Sequence, residues 1–277
     1  MKGRLRAALL AACLPACACG PDVAFNRAAA RERRGANAEA AERFKNFAER
    51  WKDDVRAPEA MVRAARIYTY VFQRCPEAMP LLERTAREHS SSPWAEEARR
   101  ALLDCPEYFP MRARANWVFV DSQTGGKNMR LEIVVSTATR SSADMHGAFY
   151  AGTQRFQEYR RRYVKEGWAV WEEDGKDRVP ILRYPYREGN AWTAKRGGRP
   201  VDFRIESAKA TVQVKAGLYR GCLKVRESQR GVPAWRYDYY APGVGRVKTT
   251  IGGKGFENPN TELRAATVPS AAPGGGT

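Results

Sequence analysis

The feature that most constrains the fold of this chain is a change of hydrophobic period near Pro110. From about Ala38 to Cys105, apolar residues recur every three or four positions, which predicts amphipathic helices. After Pro110 they alternate with polar residues, and glycine-rich turns separate the alternating runs, which predicts antiparallel strands. The expected fold class is therefore α+β, with a short N-terminal α-helical hairpin module followed by a curved antiparallel β-sheet or half-barrel.

The predicted helical module contains an internal repeat. Proline stands near the start of the later helical runs, where its fixed φ suits the first turn, and acidic residues follow it. "CPEAMP" at 75–80 is echoed by "CPEYFP" at 105–110, and "SSSPWAEEARRAL" lies between them. These features resemble the helical hairpins of tetratricopeptide-like repeats. Residues 38–110 are thus predicted to form a helical hairpin module, an architecture that usually offers a binding surface.

The predicted β domain spans residues 111–268 and has eight to ten strands. Asp174-Gly175 is a strong hairpin signal, and the acidic stretch "EEDGKD" around it predicts a solvated hairpin tip rather than a cation site. "YYAPGVGRVK" at 239–248 sets two glycines beside basic residues. Because β-branched residues follow it, a hairpin corner is predicted there instead of a phosphate-binding loop. The tail, 269–277, is of low complexity and is predicted to be disordered.

The first residues predict export. Lys2, Arg4 and Arg6 precede the apolar stretch "AALLAACLPA" at 7–16, and small residues follow it. A basic start, a short apolar segment and small residues are typical of a secretory signal peptide. The apolar stretch is shorter than the ~20 residues of a membrane-spanning helix. Residues 1–16 are therefore predicted to be a signal peptide.

Two cysteines at the end of this region lie in sequences that resemble the lipobox of bacterial lipoproteins. Leu14-Pro15-Ala16-Cys17 is favoured because it leaves the longer apolar segment, and Leu10-Ala11-Ala12-Cys13 is the alternative. An ordinary secretory signal with incidental cysteines is the third interpretation. The resemblance implies lipidation of Cys17 and a lipidated tether, or loosely helical lead-in, over 17–37. Because Ala18 follows Cys17, it also implies sorting to the bacterial outer membrane, with the protein facing the periplasm.

The formal charge of +17, from 48 Lys+Arg against 31 Asp+Glu, is spread along the chain. Such an excess is typical of proteins that meet nucleic acid or an anionic membrane surface. Export removes nucleic acid from the expected partners. The predicted partners are the membrane, through the N-terminal lipid anchor, and then envelope proteins, lipid or lipopolysaccharide. The runs "RERR" (31–34) and "YRRRY" (159–163) predict solvated faces, with lipid headgroups or lipopolysaccharide phosphates as alternative contacts.

Three blocks of the β domain follow one another in a specific order: "LRYPYREGNAWTAK" (182–195), "VQVKAGLYRGCLKVRES" (212–228) and "YDYYAPGVGRVK" (237–248). Together they resemble a domain of uncharacterised bacterial envelope lipoproteins. The resemblance implies a half-open, strongly curved antiparallel sheet like those of lipoprotein carriers and related lipid-binding envelope proteins. That family often has a hydrophobic residue where Arg246 stands, so Arg246 is predicted to face solvent.

The cysteines and aromatic residues supply the candidate sites. Cys75 and Cys105 occupy equivalent ends of two repeats and are a candidate disulfide in an oxidising periplasm. Cys222 lies at a buried strand position and is predicted to be a small hydrophobic residue. Aromatic side chains alternate along one strand and are predicted to fill the core, or else to line a lipid- or peptide-binding groove. The candidate groove aromatics are Trp192, Trp235, Tyr237 and Tyr239.

Motifs for catalysis and metal binding are scarce. His89 and His146 have no Cys, Asp or Glu at metal-ligand spacing, and neither G-x-S-x-G nor H-E-x-x-H occurs. No metal, cofactor or catalytic residue is predicted. The sequence predicts an outer-membrane lipoprotein facing the periplasm, with a non-catalytic binding or scaffolding role in the cell envelope. One alternative is a carrier that holds lipid or another hydrophobic ligand on the concave face of the β domain. A second alternative is an envelope hydrolase.

Overall fold

In the computed structural model, which describes residues 20–270, the amphipathic runs of the first third of the chain form short helices. A π-helical turn, Ile67–Val71, continues the third of them, and no described helix is long and apolar enough to cross a membrane. The signal peptide, Cys13, Cys17 and residues 271–277 of the tail lie outside the described residues. The α-helices are α1 Pro21–Arg33, α2 Asn37–Arg50, α3 Ala57–Arg66, α4 Cys75–Glu88 and α5 Trp94–Leu102.

Helix α1 corrects the expected tether over residues 20–37 and agrees with the alternative, a helical lead-in. Phe25 and two alanines of α1 are buried against the next helices. The ring of Phe25 contacts the rings of Phe44 and Phe47 edge-on, at centroid distances of 5.6 and 5.3 Å. Burying a phenylalanine contributes about 1.5–3 kcal/mol, so these contacts hold the segment as a packed helix. The described part of the predicted tether therefore belongs to the helical module.

The alternating runs after Pro110 form twelve described strands. In β1, Trp117 and Phe119 lie on the face that becomes the interior, and Val118 lies on the other face, as the period of two requires. The strands are β1 Asn116–Asp121, β2 Arg130–Ala138, β3 Ser142–Ala151, β4 Gln154–Glu166, β5 Ala169–Asp174, β6 Asp177–Arg183, β7 Ala191–Arg196, β8 Arg199–Val214, β9 Gly217–Gln229, β10 Ala234–Ala241, β11 Gly245–Gly253 and β12 Phe256–Thr267.

All twelve strands belong to one antiparallel sheet, in the order β6-β5-β4-β3-β2-β1-β12-β11-β10-β9-β8-β7. Two meanders, β1 to β6 and β7 to β12, are joined by the pairing of β1 with β12, in which Asn116 lies opposite Thr267. The sheet curls until its two edge strands, β6 and β7, face each other. The α+β class is confirmed. The predicted half-barrel of eight to ten strands is corrected to a nearly closed barrel of twelve.

The antiparallel order divides the strand connections between the two ends of the barrel. The connections β1–β2, β3–β4, β5–β6, β7–β8, β9–β10 and β11–β12 all lie at one end, which we call the tip end. The remaining connections, and the linker from α5 to β1, lie at the other end, which we call the helix end. The helical module therefore meets the barrel at the helix end, where Glu96 of α5 accepts a hydrogen bond from the backbone N–H of Gly167 at 2.8 Å.

The edges β6 and β7 are joined along a seam by side chains. The indole N–H of Trp192 donates to the carbonyl of Pro180 at 2.6 Å, and the backbone N–H of Gly197 donates to Asp177 Oδ2 at 2.6 Å. Pro180 has no N–H, so it presents no unpaired donor on the β6 edge. Edge strands are sites of unwanted association, and here the two edges protect each other.

The linker, residues 103–115, closes the helix end of the barrel. Tyr108 donates its hydroxyl hydrogen to the carbonyl of Gly221 at 3.0 Å, and the N–H of Gly243 donates to the carbonyl of Glu107 at 2.7 Å. Phe109 of the linker packs against Tyr163, with ring centroids 4.8 Å apart. The linker thus contacts strands on both sides of the barrel and forms its floor.

A buried lysine connects the linker to the barrel wall. Lys165 of β4 is 3% exposed, and its Nζ lies 2.5 Å from Asp104 Oδ1 and 3.1 Å from Glu107 Oε1. Asp104 also accepts a hydrogen bond from Tyr70 at 2.6 Å, and Glu107 forms an ion pair with Arg112. Burial alone would lower the pKa of Lys165, but the two carboxylates raise it above its ordinary value. The ammonium group therefore stays charged and pairs the linker with β4.

The β10–β11 hairpin confirms the prediction that "YYAPGVGRVK" forms a hairpin corner. Gly245 has φ of 94°, and a Cβ on it would lie 3.3 Å from the ring of Pro110, so glycine allows the linker to approach. A register shift follows Tyr239, after which Tyr240 lies opposite Arg246. Both side chains then face the barrel interior. The prediction that Arg246 faces solvent is therefore wrong, because the bulge turns it inward.

Candidate functional site

The barrel encloses a cavity above the floor formed by the linker. The cavity leaves about 70 Å³ for the centres of water molecules. Its lining combines apolar side chains with tyrosines and charged side chains. The lining residues are Phe109, Pro110, Trp117, Phe119, Ile133, Met145, Tyr159, Arg161, Tyr163, Glu172, Ile181, Arg236, Asp238, Tyr240, Gly245 and Arg246.

Charged side chains from five strands form a continuous series of ion pairs in the interior. Arg161 of β4 lies 3.3 Å from Glu172 of β5, and the other oxygen of Glu172 accepts a hydrogen bond from Arg196 of β7 at 2.6 Å. Arg196 lies 3.2 Å from Glu227 of β9, which pairs in turn with Arg236 of β10 at 2.5 Å. We call these residues, with Asp238, the interior ion-pair series. It crosses from β5, the neighbour of edge strand β6, to the other edge strand, β7.

Two carboxylates of this series, Glu172 and Asp238, are held in their ionised form. Burial would raise the pKa of Glu172, but Arg161 and Arg196 lower it below its ordinary value. Burial would likewise raise the pKa of Asp238, and Arg236 and Arg246 lower it. Asp238 also accepts a hydrogen bond from the hydroxyl of Thr249 at 2.7 Å. The interior is therefore a fixed array of charges in a poorly solvated space, where an unpaired charge has a strong effect.

Arg246 is the cavity-lining arginine whose charge is least satisfied within the described part of the chain. Arg161 donates to Asp174 at 3.2 Å and Arg236 donates to Glu227, but Arg246 only approaches Asp238 Oδ1, at 3.8 Å. That distance is too long for a hydrogen bond. The guanidinium lies 5.1 Å from the centroid of the Phe119 ring, and the side chain is 28% exposed. Its N–H groups are thus available to a ligand.

Two tyrosine hydroxyls lie in the same part of the cavity. Burial raises the pKa of Tyr240 above its ordinary value, and nearby Asp238 adds to that rise. Burial also raises the pKa of Tyr159, whose ring covers Gly147: a Cβ on this glycine would lie 2.3 Å from the ring. Both hydroxyls stay protonated and can donate a hydrogen bond. Arg246, Tyr159 and Tyr240 therefore form a set of donors suited to an anionic or strongly polar group.

The structure does not bring the predicted groove aromatics together. Trp192 is buried and stacks on Phe203, with ring centroids 5.4 Å apart and an interplanar angle of 3°. Trp235 and Tyr237 lie on the outer face of β10, because Asp238 and Tyr240 occupy the inner face. Tyr239 shares that outer face, and its hydroxyl donates to Glu257 at 2.5 Å. The prediction of an aromatic groove is therefore wrong. Trp192 is a core residue, and the other three aromatic side chains form a row on the outer face of the barrel, which we call the outer row of rings.

The outer row of rings has a local packing role. A Cβ on Gly252 would lie 2.6 Å from the indole nitrogen of Trp235 and 2.7 Å from the ring of Tyr237. The two rings therefore cover a strand glycine that has no side chain of its own to pack. Lys224 lies 4.0 Å from the centroid of the Tyr237 ring, which adds a cation–π contact.

The structure joins Cys75 and Cys105 in a disulfide, with Cα atoms 5.2 Å apart. The bridge links the start of α4 to the linker that forms the barrel floor. Cys222 is a free thiol that is fully buried, and burial raises its pKa to about 11. Such a thiol is protonated and unreactive at neutral pH.

Sequence reasoning missed the residues of the interior ion-pair series. Arg161 and Arg196 follow a basic neighbour, as in "YRRRY", which is also the pattern of a solvated strand. The one usable signal was alternation, since Tyr159, Arg161 and Tyr163 share a face of β4. No group of His, Cys, Asp and Glu in residues 20–270 is arranged to hold a metal ion.

Comparison with known proteins gives likenesses over part of the chain. No protein-family model and no curated protein matches the sequence. A solved structure from Bacteroides fragilis, described as an exported protein with a YmcC-like fold, is 14% identical, with a TM-score of 0.41, covering 57% of this chain and 98% of that one. One from Parabacteroides distasonis, described as a lipoprotein, is 14% identical, with a TM-score of 0.39, covering 58% and 98%.

A hypothetical protein from Chlamydia trachomatis is 8% identical, with a TM-score of 0.30, covering 62% of this chain and 92% of that one. These similarities define neither a family nor an activity for this chain, because low identities and TM-scores describe only a partial likeness of shape. The resemblance to envelope lipoproteins and to tetratricopeptide-like repeats stays a prediction.

Proposed function

We propose that this protein is a non-catalytic binding protein of the bacterial envelope, attached to the outer membrane by a lipid on Cys17 and facing the periplasm. Its binding site is the cavity of the barrel. The ligand is a small molecule with an anionic or strongly polar group, which contacts Arg246, and with an apolar part, which contacts the apolar side chains of the cavity lining. Binding sites commonly combine an apolar lining with a few polar groups that fix orientation.

The observation that carries this proposal is the unsatisfied guanidinium of Arg246. A guanidinium presents five N–H donors, and those of Arg246 form no hydrogen bond with any described residue. The described residues offer Arg246 one carboxylate oxygen at 3.8 Å. A carboxylate, phosphate or sulfate group would complete this coordination with charge-assisted hydrogen bonds.

The size of the cavity favours a small ligand over an acyl chain. A protein cavity of about 150 Å³ holds one benzene molecule. The space of about 70 Å³ in this barrel is smaller, and several of its walls are charged. The lipid-carrier alternative therefore requires the barrel to widen along its seam. The hydrolase alternative has little support, because the carboxylates lining the cavity are already paired with arginines.

Replacing Arg246 with methionine tests the binding site. We expect acetate and inorganic phosphate, titrated separately into the unmodified protein, to raise its melting temperature. In Arg246→Met, the same rise should require at least a tenfold higher anion concentration. The physical reason is loss of a cavity-lining guanidinium that has no hydrogen-bond partner among the described residues. Thermal shift and calorimetric titration give the measurements. Native mass spectrometry of protein purified from envelopes, in both forms, then shows whether a small anionic ligand or a lipid is retained.

Arg160→Met is the matched control, because Arg160 is on the same strand as Arg161 but on its outer, exposed face. It should leave the stabilisation unchanged. An equal loss of anion stabilisation in Arg246→Met and Arg160→Met would contradict the proposed ligand. So would a bound diacyl lipid that is retained in the unmodified protein and in both variants.

The anchor is tested by replacing each candidate cysteine. Cys17→Ser is expected to release the protein from the membrane fraction into the soluble periplasmic fraction, because the acyl chains that hold it are no longer attached. Cys13→Ser should leave it membrane-bound. Fractionation followed by immunoblotting measures both. Release by Cys13→Ser alone would move the anchor to Cys13, and release by neither would contradict the lipoprotein assignment.

A further inference from the structure

The tip end of the barrel carries an unusual concentration of exposed basic residues. Each of its six connections, with the strand ends that flank it, contributes at least one lysine or arginine. These strand ends are held close together by the barrel, whereas in the sequence they are spread over nearly half of the chain. The exposed basic residues are Lys127, Arg155, Lys176, Lys195, Arg199, Arg230 and Lys254.

Most of this charge is not neutralised. Arg155 pairs with Glu158 at 3.0 Å and Arg230 with Asp202 at 3.4 Å, and all four side chains are at least 40% exposed. The other five basic residues of the tip end form no ion pair with any residue in the described part of the chain. Exposed pairs of this kind contribute little, so the positive field of the tip end persists.

The nearby acidic groups are engaged elsewhere. Asp174 accepts a hydrogen bond from Arg161 in the interior, and Asp177 accepts one from the backbone of Gly197 across the seam. Glu257 is held by Lys224, at 2.6 Å, on the outer wall. These carboxylates therefore pair with groups of the barrel wall and the seam, and they do not neutralise the basic residues of the tip end.

Exposed apolar side chains stand among the basic residues. Phe156, Val232 and Phe256 are 56%, 47% and 49% exposed. Phe156 directly follows Arg155, and Phe256 lies two residues after Lys254. A partner that was only a soluble polyanion would use the charge and leave these rings in water. A partner with anionic headgroups above an apolar layer would use both.

We propose that the tip end docks on the surface of a phospholipid bilayer that contains anionic headgroups. The lysines and arginines contact the headgroups, and the two phenylalanines enter the boundary between headgroups and acyl chains. This surface is separate from the barrel cavity and from the N-terminal anchor, and the inference does not rest on the proposed function. The tip end is opposite the helix end, so the N-terminal helices remain free of the docked membrane.

The test uses an unlipidated chain beginning at Gly20, which contains every described helix and strand. We expect it to co-sediment with vesicles of phosphatidylglycerol and phosphatidylcholine, and to bind pure phosphatidylcholine vesicles at least tenfold more weakly. Each basic residue near an anionic surface contributes about 1 kcal/mol, or about fivefold in affinity. The triple variant Lys195→Gln, Arg199→Gln and Lys254→Gln should therefore bind about a hundredfold more weakly.

A control variant with the same loss of charge separates docking from general attraction. Arg160, Arg204 and Lys209 are exposed on the outer wall and form no described ion pair, and replacing all three with glutamine should weaken binding less than fivefold. Equal weakening of both triple variants would overturn the proposal. So would an absence of binding to the anionic vesicles at low salt.

The aromatic residues supply a second arm of the test. At raised salt, where exposed charges are screened, residual binding should depend on the rings and be lost in Phe156→Ser with Phe256→Ser. If this double variant binds the anionic vesicles as tightly as the unmodified chain does, and heparin competes fully, the tip end is a surface for soluble polyanions and the bilayer proposal fails.

Discussion

Replacing both Cys75 and Cys105 with alanine should lower the free energy of unfolding by about 3–4 kcal/mol. The disulfide closes a loop across a sequence separation of 30 residues, and in the chain-entropy model a loop of this size is worth that much to the folded state. Cys105 lies in the linker that forms the barrel floor, so the loss should affect both parts of the protein. Urea unfolding followed by tryptophan fluorescence gives the measurement.

Reductant provides the control for this prediction. In a chain beginning at Gly20, dithiothreitol should destabilise the unmodified protein about as much as the double substitution does, and should not affect the double variant. Cys222→Ala should keep the full response to reductant, since Cys222 is a free thiol. A response that follows Cys222 instead would show that the bridge joins different cysteines.

Lys165→Met is expected to destabilise the protein by about 3–5 kcal/mol. The methionine side chain fills a similar volume, but the substitution leaves the carboxylates of Asp104 and Glu107 buried without their shared cation. Removing one partner from a buried ion pair has a cost of this size because the remaining charge is uncompensated. The unfolding transition should also broaden or split, because Lys165 connects the helical module to the barrel. Calorimetry measures both effects.

Two further variants distinguish the charge from the side-chain volume. Adding Asp104→Asn to Lys165→Met should restore at least half of the lost stability, since Lys165 is the only cation paired with Asp104 in the described part of the chain and the uncompensated charge is then removed. Lys176→Met, at an exposed tip, should change stability by less than about 0.5 kcal/mol. If Lys165→Met behaves like Lys176→Met, the buried ion pair does not hold the linker.

Local signals predicted the pieces of this fold well. The Asp174-Gly175 turn joins β5 to β6, and the Pro-Gly-Val-Gly corner joins β10 to β11, as their turn chemistry requires. The change of period at Pro110 marks the passage from helices to strands because side-chain spacing is a local property. The disulfide was a candidate for a similar reason, since its cysteines close two equivalent repeats.

Barrel closure and the cavity could not be predicted from local sequence signals. The pairing of β1 with β12 joins residues about 150 positions apart, and no single-sequence pattern specifies it. The inward direction of Arg246 depends on one bulge after Tyr239, which reverses the face expected from alternation. Interior arginines were assigned to solvent because a charged residue on a strand is usually exposed, and only the partners from other strands reveal the exception.

The pairing of β1 with β12 also sets an order on folding. The strands β1 to β6 form hairpins with their neighbours in the chain, and each hairpin can form as soon as its second strand is available. The complete wall of the cavity cannot form that early, because the two meanders are joined only when β1 pairs with β12, the last strand of the chain, with Asn116 opposite Thr267. Until then, β1 is a bare edge that carries Trp117 and Phe119. The chain is therefore most exposed to misassembly in the interval between its first strand and its last.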